Sequence, residues 1–217
     1  TQGYADVERQ IPVSDATLFR LASMSKPVTA VAAMQLIEQG KLGLDDKLAR
    51  WIPEFGKMKA AKEPIGFDEA QKYMADPDNP LMAKMLKARL DGVELIDVGD
   101  AITIRDLLTH SSGLGMGLVG QQAMAQCVAT GDRLADRVKK FAGTPLDFAP
   151  GAMTGYSAIA GFDTLGRVVE IVSGEQLDEY IREHIARPLG TDELGFSMTD
   201  AQRARMARLY EHGVDGA

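Results

Sequence analysis

The chain of 217 residues has a net charge of −7, with 45% hydrophobic and 25% charged residues. This balance predicts one large globular domain or two small ones, and the dispersed acidic charge argues against nucleic-acid binding, which needs a basic patch. No apolar run reaches the ~18 residues of a transmembrane helix, so we expect no membrane segment. The one cysteine, Cys127, excludes an internal disulfide and reads as a small buried hydrophobe, and the widely spaced histidines do not form a zinc motif.

A mostly buried helix is the first strong element in chain order, over residues 28–39. Its apolar residues recur at helical spacing. Because a proline is tolerated only in the first turn, Pro27 requires the helix to begin within residues 23–26. Gly40 is well suited to follow its end. A turn and a short helix are expected next, over residues 45–55.

Residues 56–99 differ from their surroundings and are interpreted as a surface elaboration. They are rich in lysine and methionine and contain Pro64, Pro77 and Pro80. Two helices are plausible within them, at roughly 67–75 and 80–90.

The second half of the chain is expected to be mainly helical. Residues 103–106 have the pattern of a capping box with aspartate at its last position, and a loop follows at residues 109–113. Helices are predicted at about 120–129 and 132–142, followed by a proline- and glycine-rich loop at 144–156. Two further helices are predicted, one over 162–172 that Gly174 closes, and one over 177–185 that Pro188 stops.

Ser23 and Lys26 are the first candidates for chemistry. Residues three apart share a helix face, and a serine nucleophile needs a neighbouring base. A lysine is a base only when neutral, which burial and a helix N-terminus both favour. The pattern is weak alone, since ~0.4 such pairs are expected by chance in a chain of this composition. A serine N-cap followed by a solvated lysine is the alternative interpretation.

Several further segments, in the same order, resemble the serine β-lactamase and penicillin-binding-protein superfamily, and most of all the class C β-lactamases and family VIII carboxylesterases. The segments that carry the resemblance are Phe19-Arg-Leu-Ala-Ser23-Met-Ser-Lys26-Pro27, Gly40-Lys-Leu-Gly-Leu-Asp-Asp46, Trp51-Ile-Pro-Glu-Phe55, Ile104-Arg-Asp-Leu-Leu-Thr-His110-Ser-Ser-Gly-Leu114, Phe148-Ala-Pro-Gly151 with Tyr156-Ser157, Glu170-Ile-Val-Ser-Gly174 and Ile185-Ala-Arg-Pro-Leu-Gly190. Together they are specific, although each one alone is not.

The resemblance implies an α+β fold of the β-lactamase/transpeptidase type, with a helical lobe beside an antiparallel sheet flanked by helices. It implies that Ser23 is the acylated nucleophile, that Lys26 takes its proton, and that Tyr156 shuttles protons. A nearby ammonium would lower the pKa of such a tyrosine. The alternative for Tyr156 is a turn aromatic that packs on the core. No metal or cofactor is implied.

Two departures from the superfamily pattern matter. Ala158 occupies the position where the lactamases have asparagine, and an alanine cannot hydrogen-bond an acylamide substrate; this favours an esterase. The superfamily's third motif, on a later strand, has no counterpart after Gly190. We therefore expect the chain to be a mainly helical fragment that lacks terminal sheet strands, with the rest of the fold supplied by missing sequence or another chain.

The expected organisation is one β-lactamase-like domain, of which residues 1–217 are a part. Residues 51–186 would form the helical lobe with its insertion at 56–99, and residues 1–50 and 187–217 would belong to the sheet-bearing region. The expected partner is a small-molecule ester or lactam. The expected function is a carboxylesterase acting through an acyl-enzyme; the alternatives are a β-lactamase or D-Ala-D-Ala-type carboxypeptidase, and a catalytically silent penicillin-binding or scaffold protein.

Two other polar residues have competing interpretations. His110, just before Ser111, could form a serine–histidine pair, but a structural hydrogen bond is the favoured interpretation. Ser157 fails the Gly-x-Ser-x-Gly pattern at its last position, and no strand is predicted before it, so an α/β-hydrolase nucleophile is not supported.

Overall fold

A computed structural model gives the structure, which describes residues 2–63, 93–115, 133–191 and 193–210. The strands are β1 (Tyr4–Asp6), β2 (Ile11–Pro12), β3 (Met58–Ala61) and β4 (Leu95–Gly99). The α-helices are α1 (Ser25–Glu38), α2 (Ile104–Leu108), α3 (Leu134–Ala142), α4 (Ala160–Ser173), α5 (Leu177–Ile181) and α6 (Asp200–Arg203). Short 3₁₀ turns cover Ala22–Met24, Leu48–Arg50, Pro53–Lys57 and Arg187–Leu189, and a π-helical turn covers Arg182–Ala186.

Helix α1 is the central element and begins where Pro27 requires. Pro27 is its third residue, where no intrahelical N–H is needed. The helix ends before Gly40, whose φ of +68° is a left-handed conformation that glycine adopts without strain. Ala32, Ala33 and Leu36 are completely buried along one face. The helix predicted over residues 28–39 is therefore confirmed.

Helix α4 packs against α1 and forms the other half of the core. Leu165, Val168 and Val169 are fully buried, and Gly174 ends the helix as predicted, in a left-handed conformation with φ of +80°. Gly166 allows the next helix to approach closely, because a Cβ atom there would lie 2.7 Å from the Leu177 side chain. The α1–α4 pair carries the two chain segments that meet at the site described below.

Strands β3 and β4 lie at the two ends of the region interpreted as an elaboration. They pair antiparallel, with Lys59 opposite Asp97, and residue Leu146 extends the pairing by exchanging backbone hydrogen bonds with Lys59 and Ala61. The helices predicted at 67–75, 80–90 and 120–129, and Cys127, lie outside the described residues. The helix predicted at 132–142 is confirmed as α3.

The capping box at the start of α2 is confirmed in both halves. The Thr103 side chain accepts from the Asp106 N–H, and the Asp106 carboxylate accepts from the Thr103 N–H. The loop after α2 then lies against the segment before α4. Gly113, with φ of +76°, makes this possible, since a Cβ atom there would lie only 2.3 Å from the Phe148 carbonyl oxygen.

The prediction of one helix over 177–185 is wrong in its second half. The α-helix stops at Ile181, a π-helical turn follows, and Pro188 lies inside the final 3₁₀ turn instead of after the helix. Proline has no N–H to donate to the carbonyl of His184, four residues earlier. The Gln35 side-chain amide donates to that carbonyl at 3.2 Å instead.

The last described segment lies between the first strand and the chain that leads to α1. Leu18 exchanges backbone hydrogen bonds with Arg205 and Ala207, and Arg208 donates its N–H to the carbonyl of Ala5. None of the helices in the described part of the chain has the length and hydropathy needed to cross a bilayer.

Candidate active site

Ser23 lies in the 3₁₀ turn that immediately precedes α1. The residue before it, Ala22, has a φ of +46°, a conformation that costs a non-glycine residue roughly 1–2 kcal/mol. The Ser25 hydroxyl donates to the Ala22 carbonyl at 2.7 Å and holds this turn. The turn exposes the Ser23 side chain at the protein surface.

Lys26, in the first turn of α1, extends its side chain back toward Ser23. Residues three apart lie on the same side of a helical turn, and the Lys26 Nζ donates to the Ser23 Oγ at 3.1 Å. The predicted pairing of the two residues is therefore present. Lys26 is half-buried, less than the burial that the sequence suggested.

Tyr156 completes a cluster of three side chains. Its hydroxyl donates to the Ser23 Oγ at 2.7 Å across 133 residues of sequence, and the Lys26 Nζ lies 5.0 Å from the centre of its ring. The hydrogen bond with Ser23, followed by that with Lys26 and the Lys26 charge, lowers the pKa of the Tyr156 phenol below its usual value. Tyr156 is 43% exposed, and its role in proton transfer, rather than as a turn aromatic that packs on the core, stays a prediction.

His110 supports the segment that carries Tyr156. Its Nδ1 accepts the Ser157 N–H at 3.0 Å, and its carbonyl accepts the Gly155 N–H at 2.8 Å. Burial, and secondly the Lys26 charge, lower the pKa of the imidazole. The favoured interpretation of His110, a structural hydrogen bond, is confirmed.

The other serines near the cluster are engaged elsewhere. Ser157 is 1% exposed, and its Oγ accepts the Gly161 N–H at 2.8 Å. The Ser111 hydroxyl donates to the Asp106 carboxylate at 2.7 Å, and Ser112 is buried. No lysine or histidine side chain among the described residues hydrogen-bonds these hydroxyls, so Ser23 is the serine that has a base as partner.

A cleft of about 420 Å³ opens beside Ser23 and Lys26. Ala158 lines it, and so do Phe162, Asp163 and Phe196; a substrate-binding role of Ala158 stays a prediction. Burial raises the pKa of the Asp163 carboxyl, although the Arg137 guanidinium donates to it at 2.8 Å and acts in the opposite direction.

A larger cavity, about 590 Å³, lies beside β1, β2 and residues 203–209. Several of its charged groups are in ion pairs, such as Arg208 with Asp6 and Arg205 with Glu193. The lining of this larger cavity includes none of the three clustered side chains. We therefore take the smaller cleft, which adjoins the reactive side chains, as the candidate active site. Within the described ranges, no group of three or more histidine, cysteine or acidic side chains could hold a metal ion.

Comparison with known proteins decides the family. The sequence pattern of the family described as Beta-lactamase matches residues 1–217. The chain belongs to the beta-lactamase family.

The relatives of this beta-lactamase-family chain include esterases and penicillin-binding proteins. It is 33% identical over 220 residues to esterase EstB of Burkholderia gladioli, covering 98% of this chain and 46% of that protein. Among solved structures it is similar to EstCE1, described as a hydrolase with promiscuous acyltransferase activity (32% identity, TM-score 0.64, 94% and 46% covered). It is also similar to a penicillin-binding protein of Bacillus halodurans (29% identity, TM-score 0.66, 99% and 53% covered).

The fold is therefore that of the β-lactamases and penicillin-binding proteins, as predicted. The chain spans about half the length of these relatives.

Sequence reasoning did not identify the support that His110 gives to Tyr156, or Asp163 as a wall of the cleft. A partial signal for the first was present, because the His110 loop and the Tyr156 segment both belong to the resemblance. The position of Asp163 in the cleft could not be predicted. Asp163 follows Tyr156 by seven residues, and the path of the chain in the turn before α4, which decides whether both face the cleft, cannot be deduced from the sequence.

Proposed function

We propose that the protein is a serine hydrolase that forms an acyl-enzyme on Ser23, and that its substrates are short-chain carboxylic esters. The observation that carries the proposal is that the Ser23 Oγ is in hydrogen-bond contact with both Lys26, at 3.1 Å, and Tyr156, at 2.7 Å. A serine hydroxyl becomes a nucleophile when a neighbouring base takes its proton.

In the proposed reaction, the Ser23 Oγ attacks the ester carbonyl carbon while its proton passes to the Lys26–Tyr156 pair, whichever of the two lacks a proton. The carbonyl oxygen becomes an oxyanion, for which the Ser23 backbone N–H is a suitable donor. When the tetrahedral intermediate collapses, the alcohol leaves with a proton from Tyr156 or Lys26. Water then loses a proton to the same pair, attacks the acyl-enzyme and releases the acid, and Ser23 regains its proton.

The preference for esters over lactams rests on Ala158. It lines the cleft next to Ser23, and its methyl group gives no hydrogen bond to an acylamide side chain. The similarity to EstB, named an esterase, and to EstCE1, described as a hydrolase, supports the same choice.

Covalent labelling tests the nucleophile. We expect a fluorophosphonate to modify the peptide that contains Ser23 in the full-length protein, and Ser23→Ala to abolish both labelling and p-nitrophenyl butyrate hydrolysis. Ser157→Ala is the matched control, since its hydroxyl only accepts the Gly161 N–H, and it should still be labelled. An adduct on Ser157 or Ser111 would exclude the proposal.

A second candidate function is penicillin binding, which the similarity to the Bacillus halodurans protein favours. A β-lactamase or D-Ala-D-Ala-type peptidase would turn over nitrocefin or a D-Ala-D-Ala peptide. A catalytically silent binder would be acylated by a fluorescent penicillin, or not at all, without turnover of any ester. Measuring kcat/KM for nitrocefin and p-nitrophenyl butyrate side by side separates these outcomes from esterase activity.

A further inference from the structure

His110 contacts the chain on both sides of Tyr156. Its backbone carbonyl accepts the N–H of Gly155 at 2.8 Å, and its side-chain Nδ1 accepts the N–H of Ser157 at 3.0 Å. The residue between these two contacts is the one whose hydroxyl reaches Ser23. One residue therefore fixes the backbone immediately before and immediately after the Tyr156 side chain.

The His110 ring also packs on Tyr156 itself. Its centre lies 4.9 Å from the Tyr156 ring and 5.2 Å from the Phe162 ring. The backbone of His110 has a φ of +57°, a left-handed conformation that only a few per cent of non-glycine residues adopt, with asparagine, aspartate and histidine enriched among them. Such strain persists only where the surrounding structure imposes it.

The loop that holds His110 is anchored independently of the histidine side chain. The Ser111 N–H donates to the Asp106 carbonyl, and the Ser111 carbonyl accepts the Gly151 N–H, both at 2.9 Å. The Asp147 N–H donates to the Gly113 carbonyl at 2.9 Å. Because these backbone contacts do not involve the imidazole, replacing the side chain should leave the loop in place.

We infer that neutral His110 is the positioning residue of the site: through the acceptor Nδ1 it holds the Tyr156 segment so that the Tyr156 hydroxyl stays on Ser23. This inference rests on the proposed function. Among the described residues, the His110 hydrogen bonds go to the Gly155 and Ser157 N–H groups and not to Ser23, so His110 acts through Tyr156.

The role depends on the protonation state of the ring. An Nδ1 that accepts a hydrogen bond carries no proton, so the imidazole is neutral with its proton on Nε2. Protonation of Nδ1 would leave two donors facing each other, the Nδ1–H and the Ser157 N–H, and the hydrogen bond between them would be lost. Tyr156 would then lose one of its two supports, and turnover should fall as the pH is lowered.

The surroundings of His110 favour the neutral ring. The charge of Lys26, in α1, disfavours the protonated ring, and the Tyr156 ring packs on it. The Asp106 carboxylate, in α2, accepts hydrogen bonds from Thr103 and Ser111. The Asp163 carboxylate, in α4, accepts one from Arg137. Burial, with the Lys26 charge as a second cause, lowers the pKa of His110. The positioned form therefore persists below the usual pKa of a histidine, ~6.5, and is lost at a more acidic pH.

The test compares His110→Asn with His110→Leu in the full-length protein. Asparagine places an oxygen acceptor where Nδ1 lies, tolerates the left-handed backbone and does not titrate; leucine fills similar space without an acceptor. With p-nitrophenyl butyrate we expect His110→Asn to keep kcat within ~5-fold of wild type and His110→Leu to lose ~30-fold or more, both with KM nearly unchanged, since the general acid–base step is affected.

The pH dependence gives the sharper readout. The ratio of wild-type to His110→Asn kcat cancels every ionisation that the two proteins share, including that of Lys26. We expect the ratio to be constant near pH 7–8 and to fall only below the usual pKa of a histidine, ~6.5, where the wild type alone loses its acceptor. A ratio independent of pH, or a His110→Leu variant that keeps its kcat and only melts earlier, would overturn the inference.

A second measurement separates failure of this inference from failure of the proposed function. Tyrosinate absorbance near 295 nm, as a wild-type minus Tyr156→Phe difference, reports the pKa of Tyr156 without any substrate. In His110→Leu that pKa should move back toward its usual value, because Tyr156 leaves Ser23 and Lys26. If the wild type lacks esterase activity but the pKa moves, the positioning role stands; an unmoved pKa refutes it.

Discussion

Replacing Tyr156 by phenylalanine removes one hydroxyl group and leaves the ring in place. The group lost donates to Ser23 at 2.7 Å and belongs to a side chain that is 43% exposed. Because Ser23 is exposed to solvent and keeps its contact with Lys26, no buried polar group is left without a partner. The free energy of unfolding should therefore fall by no more than about 1 kcal/mol, the usual contribution of one hydrogen bond.

The effect on the rate should be larger than this hydrogen bond alone explains. A ground-state contribution of about 1 kcal/mol corresponds to roughly a 5-fold change in kcat/KM. If Tyr156 transfers protons in the transition state, its loss should cost ~10²-fold or more, which is about 2.7 kcal/mol of activation free energy. The magnitude thus separates a proton-transfer role from simple positioning of Ser23.

The assay measures kcat/KM for p-nitrophenyl butyrate together with the melting temperature of Tyr156→Phe. We expect a rate loss of ~10²-fold with a melting temperature within about 4 °C of wild type. A rate within 5-fold of wild type combined with much earlier melting would refute the reasoning and restore the interpretation of Tyr156 as a packing aromatic.

Four further outcomes are expected. Lys26→Arg keeps the charge but not a base near neutral pH, so it should lose ~10²-fold in kcat/KM for the same ester. Ala158→Asn should raise the rate of acylation by nitrocefin more than that by the ester; an equal change in both would contradict the role given to Ala158. Gly113→Ala should destabilise the protein by about 3 kcal/mol or more in chemical denaturation, because its Cβ would lie 2.3 Å from the Phe148 carbonyl in a left-handed conformation. Since the pKa of Tyr156 is lowered, its phenolate should form at a lower pH than that of an ordinary tyrosine. Lys26→Met should raise the pH at which it forms, and absorbance near 295 nm measures this titration.

The elements and caps that could be predicted from sequence were those with local physical causes. The start of α1 follows from the missing N–H of Pro27, and the end of α4 follows from Gly174. The contact of Lys26 with Ser23 also follows from local spacing, although it spans the junction between the 3₁₀ turn and α1 instead of lying within one α-helix.

The parts that could not be predicted depend on contacts between distant segments. Nothing near Tyr156 in the sequence indicates that its hydroxyl meets a serine 133 residues away, and only the family resemblance connected them. The π-helical turn after Ile181 was missed for a similar reason. The partner of the carbonyl that Pro188 leaves free is Gln35, on the distant helix α1.

The packing of α1 on α4 also has a consequence for how the protein folds. Each helix can form early from local interactions, but the Ser23–Tyr156 contact closes a loop of 133 residues, and such long-range contacts are slow to form. A reagent that reacts only with the assembled Ser23 cluster would therefore count native molecules during refolding. Far-ultraviolet circular dichroism, which reports helix formation, should recover before that reactivity does.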